Sequence, residues 1–492
     1  MAKMKLTDFA LLVAVCAVIC RSVGQVYGQM KAGTDAPIAD VLPQIFLPEY
    51  QQFELSNGIK VYYVENPSLQ LLRVRMISRS GADQESIPGL ARLTMGVVTK
   101  GTASRSAQQI AEELEFLGAS LGSSASWDQC AVSLLVLPEF GDAALSVLAD
   151  VIQHPTFPEG EIDRLRKQLL SDLLQSKFDP GYQASFALAQ VLFEPQHPYR
   201  HSLNGTLQSL PQIGRDDCQR FYARTFFPNN VFVVAAGPYP VAVFHELVER
   251  YFGSWSHSPA TKETLEIPPV LFPSENRLGI VDNPQAVQAE LMLTLPAPAY
   301  TDSLYPAFVL AQTVLSGYFL ARLNRVLREE KGYTYGIFGS VTHRRFLHML
   351  VIRTGIGNEV LPKAVQTLYN ELQRFGEQPV DSGEQELARR YLLGQIAVRL
   401  ESVNTILALL ATQELYHLPP KFYQHLYQQL RTVGEQQVAE VQRRFFQNLH
   451  VAIGVSGSPV VVEKAFTAFP DLHIQHFPME AVVGAINGDT AK

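Results

Sequence analysis

Apolar and polar positions alternate through residues 59–64 and again through 72–78, the two-residue period of half-buried strands, and the two segments read as a strand pair. A helical period follows. Ser106 with Gln109 three residues on makes a capping-box pattern, Ile110, Leu114 and Leu117 recur at helical spacing, and Gly118 stands where a helix stops. Residues 122–136 return to alternation and read as one strand. Farther on, Leu165, Leu169 and Asp172 fall at i, i+4 and i+7, and Leu320, Leu323 and Leu327 form the apolar stripe of a helix ended by Gly332. Strands in runs, with helices between hairpins, predict an α+β fold of layered sheet and helices rather than alternating βαβ units.

The pattern occurs twice. Val64-Glu65-Asn66-Pro67 recurs as Val281-Asp282-Asn283-Pro284, and Gly122-Ser123 as Gly339-Ser340, each 217 residues later. Phe226-Phe227-Pro228-Asn229 recurs as Phe445-Phe446-Gln447-Asn448 at a nearly equal offset. The spacing predicts two homologous α/β halves of about 220 residues, too long a period for a solenoid. Residues 45–253 form the first half and 277–480 the second. Between them, residues 254–276 hold Pro259, Pro268, Pro269 and Pro273 and read as an extended linker. The last residues, 481–492, are expected to be a mobile tail.

Residues 1–28 have the pattern of a signal peptide. Lys3 and Lys5 precede an unbroken apolar run from Phe9 to Cys20, which as a helix reaches about 18 Å, short of a hydrocarbon core of about 30 Å. Cleavage fits after Gly24 or after Gly28. The alternative is a retained membrane anchor; lipoprotein processing fits less well because Val15 before Cys16 is too large. No later stretch approaches eighteen uninterrupted apolar residues, so a water-soluble mature protein is expected. An exported chain of this kind suggests a bacterial periplasm.

Composition narrows the classes further. The chain has 492 residues, 47% hydrophobic and 18% charged, which excludes a disordered or coiled-coil protein. Its net charge of −7, with no Lys/Arg run, argues against nucleic acid or an anionic membrane as partner. Removing the signal leaves Cys130 and Cys218, neither a disulfide framework nor a metal cluster. Two buried thiols are the favoured reading, a single disulfide the other.

Ser80-Gly81-Ala82-Asp83 and the run from Gly89-Leu90-Ala91 to Lys100-Gly101-Thr102 resemble the insulinase/pitrilysin-like zinc peptidases, the inverzincins. His197-Pro198-Tyr199, Gly205-Thr206, Asp179-Pro180 and the stretch Arg328 to Tyr335 fall where that family has them, so the resemblance spans essentially the whole mature chain. It implies a fold like that of the mitochondrial processing peptidase. The family's signature is H-x-x-E-H, two imidazoles four apart on a helix holding zinc, with a Glu as general base. Alignment through Gly89 and Lys100 puts Arg92, Leu93, Thr94, Met95 and Gly96 at those five positions. Arg92 repels a metal, Met95 cannot take a proton, and Gly96 has no side chain. The third, acidic ligand falls at Asp172, which alone cannot bind zinc; it either pairs with Arg92 or is simply solvated.

No replacement metal site is evident. His245-Glu246-Leu247-Val248-Glu249 ends in Glu rather than His and reads as the charged face of a helix. Pro198 breaks helical spacing between His197 and His201, and His343 and His348 flank Arg344-Arg345 in a strand or hairpin. No metal is assigned to this chain.

The segment Leu323 to Gly336 resembles the family's Arg/Tyr motif, with Arg328 and Tyr335 seven apart. Arg328 falls in a last helical turn, where a cation complements the dipole. Tyr335 follows on a strand with Tyr333 and Ile337 on its face, and the fold-back lets guanidinium and phenol converge. In the family such a pair reaches across a chamber, binds the substrate backbone and stabilises the tetrahedral intermediate at the zinc. The plain alternative is that Arg328 pairs with Glu329, Glu330 or another acid, and Tyr335 packs.

Some members of that family work as two chains, one with zinc and one with the Arg/Tyr pair. The resemblance implies that this chain is the second kind: a zinc-less subunit of an exported metallopeptidase, inactive alone. Its expected partners are a homologous H-x-x-E-H subunit, which carries the zinc, and unfolded peptides. The alternative is a non-catalytic scaffold or peptide-binding pseudopeptidase of the cell envelope.

Overall fold

The computed structural model describes residues 49–256, 265–467 and 469–484, all in one compact unit that begins at Gln44. Residues 1–28, expected to be a signal peptide, lie outside the described residues. The first six strands are β1 (Gln51–Glu54), β2 (Lys60–Glu65), β3 (Leu72–Ser78), β4 (Ser120–Ala125), β5 (Cys130–Val136) and β6 (Val231–Gly237). They form one sheet in the order β1-β2-β6-β3-β5-β4. The next six are β7 (Asn276–Asp282), β8 (Gln288–Pro296), β9 (Thr334–Arg344), β10 (Leu347–Gly357), β11 (Ala452–Gly457) and β12 (Leu472–Pro478), in the order β12-β7-β11-β8-β10-β9. Apart from the edge strands β1 and β12 the two sheets have the same topology, the structural form of the repeat in the sequence.

Two expectations about strands are corrected. β2 and β3 are not paired with each other, because β6 lies between them, parallel to β2 and antiparallel to β3. All seven residues of β6 are buried, so it takes the centre of the sheet where both faces are covered. Local alternation marks a strand but not its neighbour. Residues 122–136 form a hairpin rather than one strand: Ser126 N–H donates to the Gln129 carbonyl at 2.8 Å, and a turn without Gly or Pro gave no signal.

Each sheet is sealed by a helix from the other half. Asp179 caps the helix Pro180–Leu192, accepting from Tyr182 N–H at 2.7 Å, with Pro180 in the first turn. Ala184, Ala187, Leu188 and Val191 of this helix share a core with Val281, Met292 and Val351 of the second sheet. Reciprocally, Ile406, Leu407, Leu410 and Ala411 of the helix Val403–Leu415 cover Tyr62, Val64, Phe232 and Val234 of the first sheet. At about 1.5–3 kcal/mol for each large apolar side chain, the exchange binds the halves more strongly than their polar contacts do. The stretch Tyr305–Glu330 is long and apolar enough to cross a membrane, but 78% of its most apolar eighteen-residue window is buried in the second half.

The two equivalent hairpin tips also meet. Arg345, at the β9–β10 turn, donates its backbone N–H to Asp128 Oδ2 at 2.9 Å, and Asp128 stands 217 residues earlier at the β4–β5 turn. Arg345 Nη1 lies 3.0 Å from Asp83 Oδ2. Burial pushes the Asp83 carboxyl up to about 6 despite that cation. An acid whose folded pKa is raised stabilises the fold less as pH climbs from its unfolded value, near 4, through its folded one. Asp83→Asn is therefore expected to remove a fall in stability between about pH 4 and pH 6, read as the difference between denaturant melts of the two proteins.

The tail boundary moves outward. Val482 and Val483 are 4% and 3% exposed, and the Val483 carbonyl accepts from Leu207 N–H at 2.8 Å, so the chain is packed through this point rather than mobile from 481. Two apolar side chains of the 3-10 turn Met479–Val483, after β12, find the first-half core, a long-range contact that leaves no local pattern. Cys130 and Cys218 are both free and buried, as the thiol reading expects.

Candidate functional site

The degenerate motif lies on the helix Leu90–Val98, and its start is fixed by backbone contact. Gly89 has φ 91°, and a Cβ there would stand 2.8 Å from Gly205 Cα; Gly205 has φ 78° and is pressed against the Pro88 carbonyl. Both positions therefore exclude a side chain, which explains why the two glycine motifs accompany each other. Glu85 caps the helix, accepting from Gly89 N–H at 3.0 Å and Ala91 N–H at 2.9 Å.

Arg92 is exposed, Met95 is 1% exposed inside the core, and Gly96 faces the helix Glu159–Ser176. A Cβ on Gly96 would lie 2.3 Å from Leu165 Cδ2, so the place of the second histidine is occupied. Asp172 is exposed on that same helix, and among the described residues no ion pair joins it to Arg92. The solvated reading holds for it. Among the described residues no group of three His, Cys, Asp or Glu side chains is placed to hold a metal.

Restoring the ligands therefore also requires Leu165 to move aside. Arg92→His, Met95→Glu and Gly96→His together are expected to give a protein without stoichiometric zinc by elemental analysis. Its melting temperature falls, since a buried apolar side chain becomes a carboxylate and Leu165 is displaced, overpacking of about 1–3 kcal/mol. One zinc per chain in the triple variant would show that Leu165 yields.

The Arg/Tyr segment is organised differently from its sequence pattern in two respects. Leu323 and Leu327 are fully buried, but Leu320 is 57% exposed. The helix breaks after Gly317 and restarts at Arg322, so Leu320 lies in the connection and not on the stripe. Gly332 ends the second piece as expected, at φ 65°, with its N–H on the Arg328 carbonyl at 3.0 Å.

Tyr335 does not share a face with Ile337. Thr334 opposes Ile356 and Ile337 opposes Thr354, so Tyr335 and Gly336 together face the single residue Gly355, a β-bulge at the start of β9. The bulge turns Tyr335 out to 96% exposure while Ile337 stays fully buried. Thr334 Oγ1 pins it, 2.9 Å from Thr354 Oγ1 and 2.8 Å from the Gly355 carbonyl, and Thr354 Oγ1 donates to the Gly336 carbonyl at 3.0 Å. Sequence alternation cannot show an extra residue of this kind.

Arg328 sits in the last turn with its guanidinium carbon 4.3 Å above the Phe319 ring and Nη1 3.2 Å from Glu329 Oε1. Phe319 was not anticipated as a neighbour, since it precedes the helix. Arg328 and Tyr335 are thus carried on either side of the Gly332 turn. Among the described residues no hydrogen bond joins them.

The histidines have ordinary roles. His245 packs on Phe53 at 4.8 Å, and Pro198–Arg200 between His197 and His201 is a single 3-10 turn. His343 and His348 oppose each other across the β9–β10 ladder with Nδ1 atoms 2.9 Å apart.

Two family models match the chain: insulinase (peptidase family M16) over residues 63–180, and peptidase M16 inactive domain over 212–392. Together they cover more than half of it. A non-peptidase homolog from Helicobacter pylori is 25% identical over 77% of this chain and 87% of its own. A probable mitochondrial-processing peptidase subunit beta from Arabidopsis thaliana is 26% identical, over 55% of this chain and 51% of its own. The crystal structure of a peptidase M16 inactive domain from Pseudomonas fluorescens superposes with a TM-score of 0.76 at 25% identity, covering 83% of this chain and 98% of that one. The chain belongs to the insulinase (M16) peptidase family, as an inactive member that has lost the zinc-binding residues of the motif and holds no metal-binding cluster among its described residues.

Proposed function

We propose that this chain is the zinc-less subunit of an exported two-chain metallopeptidase, lending Arg328 and Tyr335 to a zinc-bearing homologue that hydrolyses unfolded peptides in a bacterial periplasm. The observation that carries this reading is the pinned bulge, which holds a tyrosine at 96% exposure seven residues after an arginine stacked on Phe319. A strand start built only for stability would follow its own alternation and bury the ring. A guanidinium and a phenol are donors suited to a substrate carbonyl and the oxyanion that forms from it. The description of the Arabidopsis relative as a subunit fits a chain that works in company.

The test is co-expression with a homologue carrying H-x-x-E-H from the same genome. The expected result is a stable complex that cleaves unfolded peptides and is stopped by a chelator, while each chain alone is inactive. Stoichiometric zinc and chelator-sensitive hydrolysis in the lone chain would overturn the proposal. The second reading, a scaffold or peptide-binding pseudopeptidase of the envelope, draws support from the Helicobacter relative described as a non-peptidase homolog. It predicts a complex whose activity does not depend on Arg328 or Tyr335.

A further inference from the structure

A cavity of about 380 Å³ lies between the halves, its second-half wall including the far end of β9, the strand on which Tyr335 stands. Arg75 of β3 lines it from the first sheet, Arg344 of the β9–β10 turn from the second half, and Ala408, Ala411 and Leu415 of the sealing helix close it. Its size is at the small end of ligand sites, roughly 300–1,000 Å³.

Two guanidiniums, Arg75 and Arg344, stand against one carboxylate, Asp128, among its lining residues. Elsewhere, sunken arginines are paired: Arg79 with Glu414, Arg322 with Glu384, Arg345 with Asp83. Neither Arg75 nor Arg344 makes an ion pair or hydrogen bond among the described residues. Arg344 is instead stacked, its guanidinium carbon 5.0 Å from the Trp127 ring and 4.8 Å from that of Tyr199, an arrangement that fixes its plane and leaves its N–H edge unused. Asp128 also lines the cavity, but its carboxylate is engaged by Tyr199 at 3.1 Å, Tyr416 at 2.5 Å and the Arg345 N–H at 2.9 Å.

Two further polar atoms on lining residues are buried without a partner, Gln129 Oε1 and His343 Nε2. Burial holds the His343 imidazole far down, at about 3, so it is neutral. His343 Nδ1 and His348 Nδ1 share one hydrogen bond, and His343 Nε2 has no partner. Burial also lowers Arg75 and Arg344 from the usual guanidinium range, opposed at Arg344 by the charge of Asp128 and at Arg75 by no named anion, and a bound anion would reverse that direction.

We propose that this cavity binds a small oxyanionic ligand, its carboxylate or phosphate clamped between Arg75 of one half and Arg344 of the other. Two guanidinium forks match either group bidentately, and the Trp127 ring offers an apolar wall for the rest of the ligand. Because the two arginines come from different halves, occupancy would tie the hairpin tip of the second half to the first sheet.

The experiment is thermal unfolding and calorimetric titration of the purified protein with inorganic phosphate and, separately, with succinate, against sodium chloride at matched ionic strength. The expected result is saturable binding of at least one probe with a rise in melting temperature. Arg75→Met and Arg344→Met should each weaken it about tenfold or more. Arg75→Met should melt no lower than the parent in chloride, since it removes an unpaired cation; Arg344→Met also gives up its stacking on Trp127 and Tyr199, so its binding is read below its own melting temperature, and should one variant fail to fold, the other carries the test. Response to phosphate alone identifies a phosphate-bearing ligand, to succinate alone a carboxylate, and to both the shared chemistry. No saturable response to either probe, or a response undiminished in the variants, overturns the proposal.

Discussion

Arg328→Ala in a complex with a zinc-bearing partner is expected to cut the rate of peptide cleavage by about a hundredfold or more while leaving zinc content and complex formation unchanged. The size follows from the role: removing one donor to a developing oxyanion costs about 2.7–4 kcal/mol of transition-state stabilisation. The guanidinium is held ready for such use, stacked on Phe319 and one-third exposed, with its nearest carboxylate only the neighbouring Glu329. The effect should fall on kcat more than on KM, because the donor meets charge that develops in the reaction. Tyr335→Phe, which keeps the ring and removes the hydroxyl, should lose rate in the same sense. Thr354→Val should lose part of it, through a bulge no longer pinned. A complex of Arg328→Ala that cleaves at the parental rate would remove the proposed contribution and favour the scaffold reading.

The second large effect concerns the fold. Gly454→Val is expected to lower stability by at least about 4 kcal/mol, read as loss of soluble protein or a strongly depressed melting temperature. A Cβ at Gly454 of β11 would stand 2.0 Å from the Ala184 carbonyl oxygen and 2.3 Å from Leu188 N, both main-chain atoms of the helix that seals the second sheet. A side chain in the way can rotate; a helix backbone cannot. The neighbouring Gly279 on β7 meets the Ala187 carbonyl at 2.6 Å in the same manner, so the helix lies in a trough of two glycines. Lifting it uncovers Ala184, Ala187 and Leu188 together with the sheet beneath, a substantial part of the 5–15 kcal/mol that holds a typical domain. Gly394→Ala is the control: a Cβ there meets nothing within 4 Å on the helix Ser382–Arg399, and stability should hold or rise slightly. A Gly454→Val protein that melts like the parent would mean that helix and sheet are not in the contact described.

What the sequence made legible was whatever leaves a local or periodic trace. The capping box at Ser106, the helix stop at Gly332 and the repeat at 217 residues all correspond to observed geometry, because each depends on residues close together or on a copy of the same pattern. The loss of zinc ligands at Arg92, Met95 and Gly96 was equally plain. The rest depends on distant partners. Neither β6 between β2 and β3, nor the packing of Val482 and Val483 against the first half, nor the approach of Leu165 to Gly96 can be read from a window of neighbours. The bulge at Tyr335 was hidden for a subtler reason: one added residue inverts the alternation on which strand reading rests.

The reciprocal sealing of the sheets sets an order of events on the ribosome. Tyr62, Val64, Phe232 and Val234 have all been made once β6 is synthesised, yet the residues that cover them begin only at Ile406. At elongation speeds of about 5–20 residues per second, that greasy surface stays bare for roughly ten to thirty-five seconds. A nascent first repeat is therefore a natural client for a holding chaperone, and the final turn of the key is the arrival of the segment Val403–Leu415.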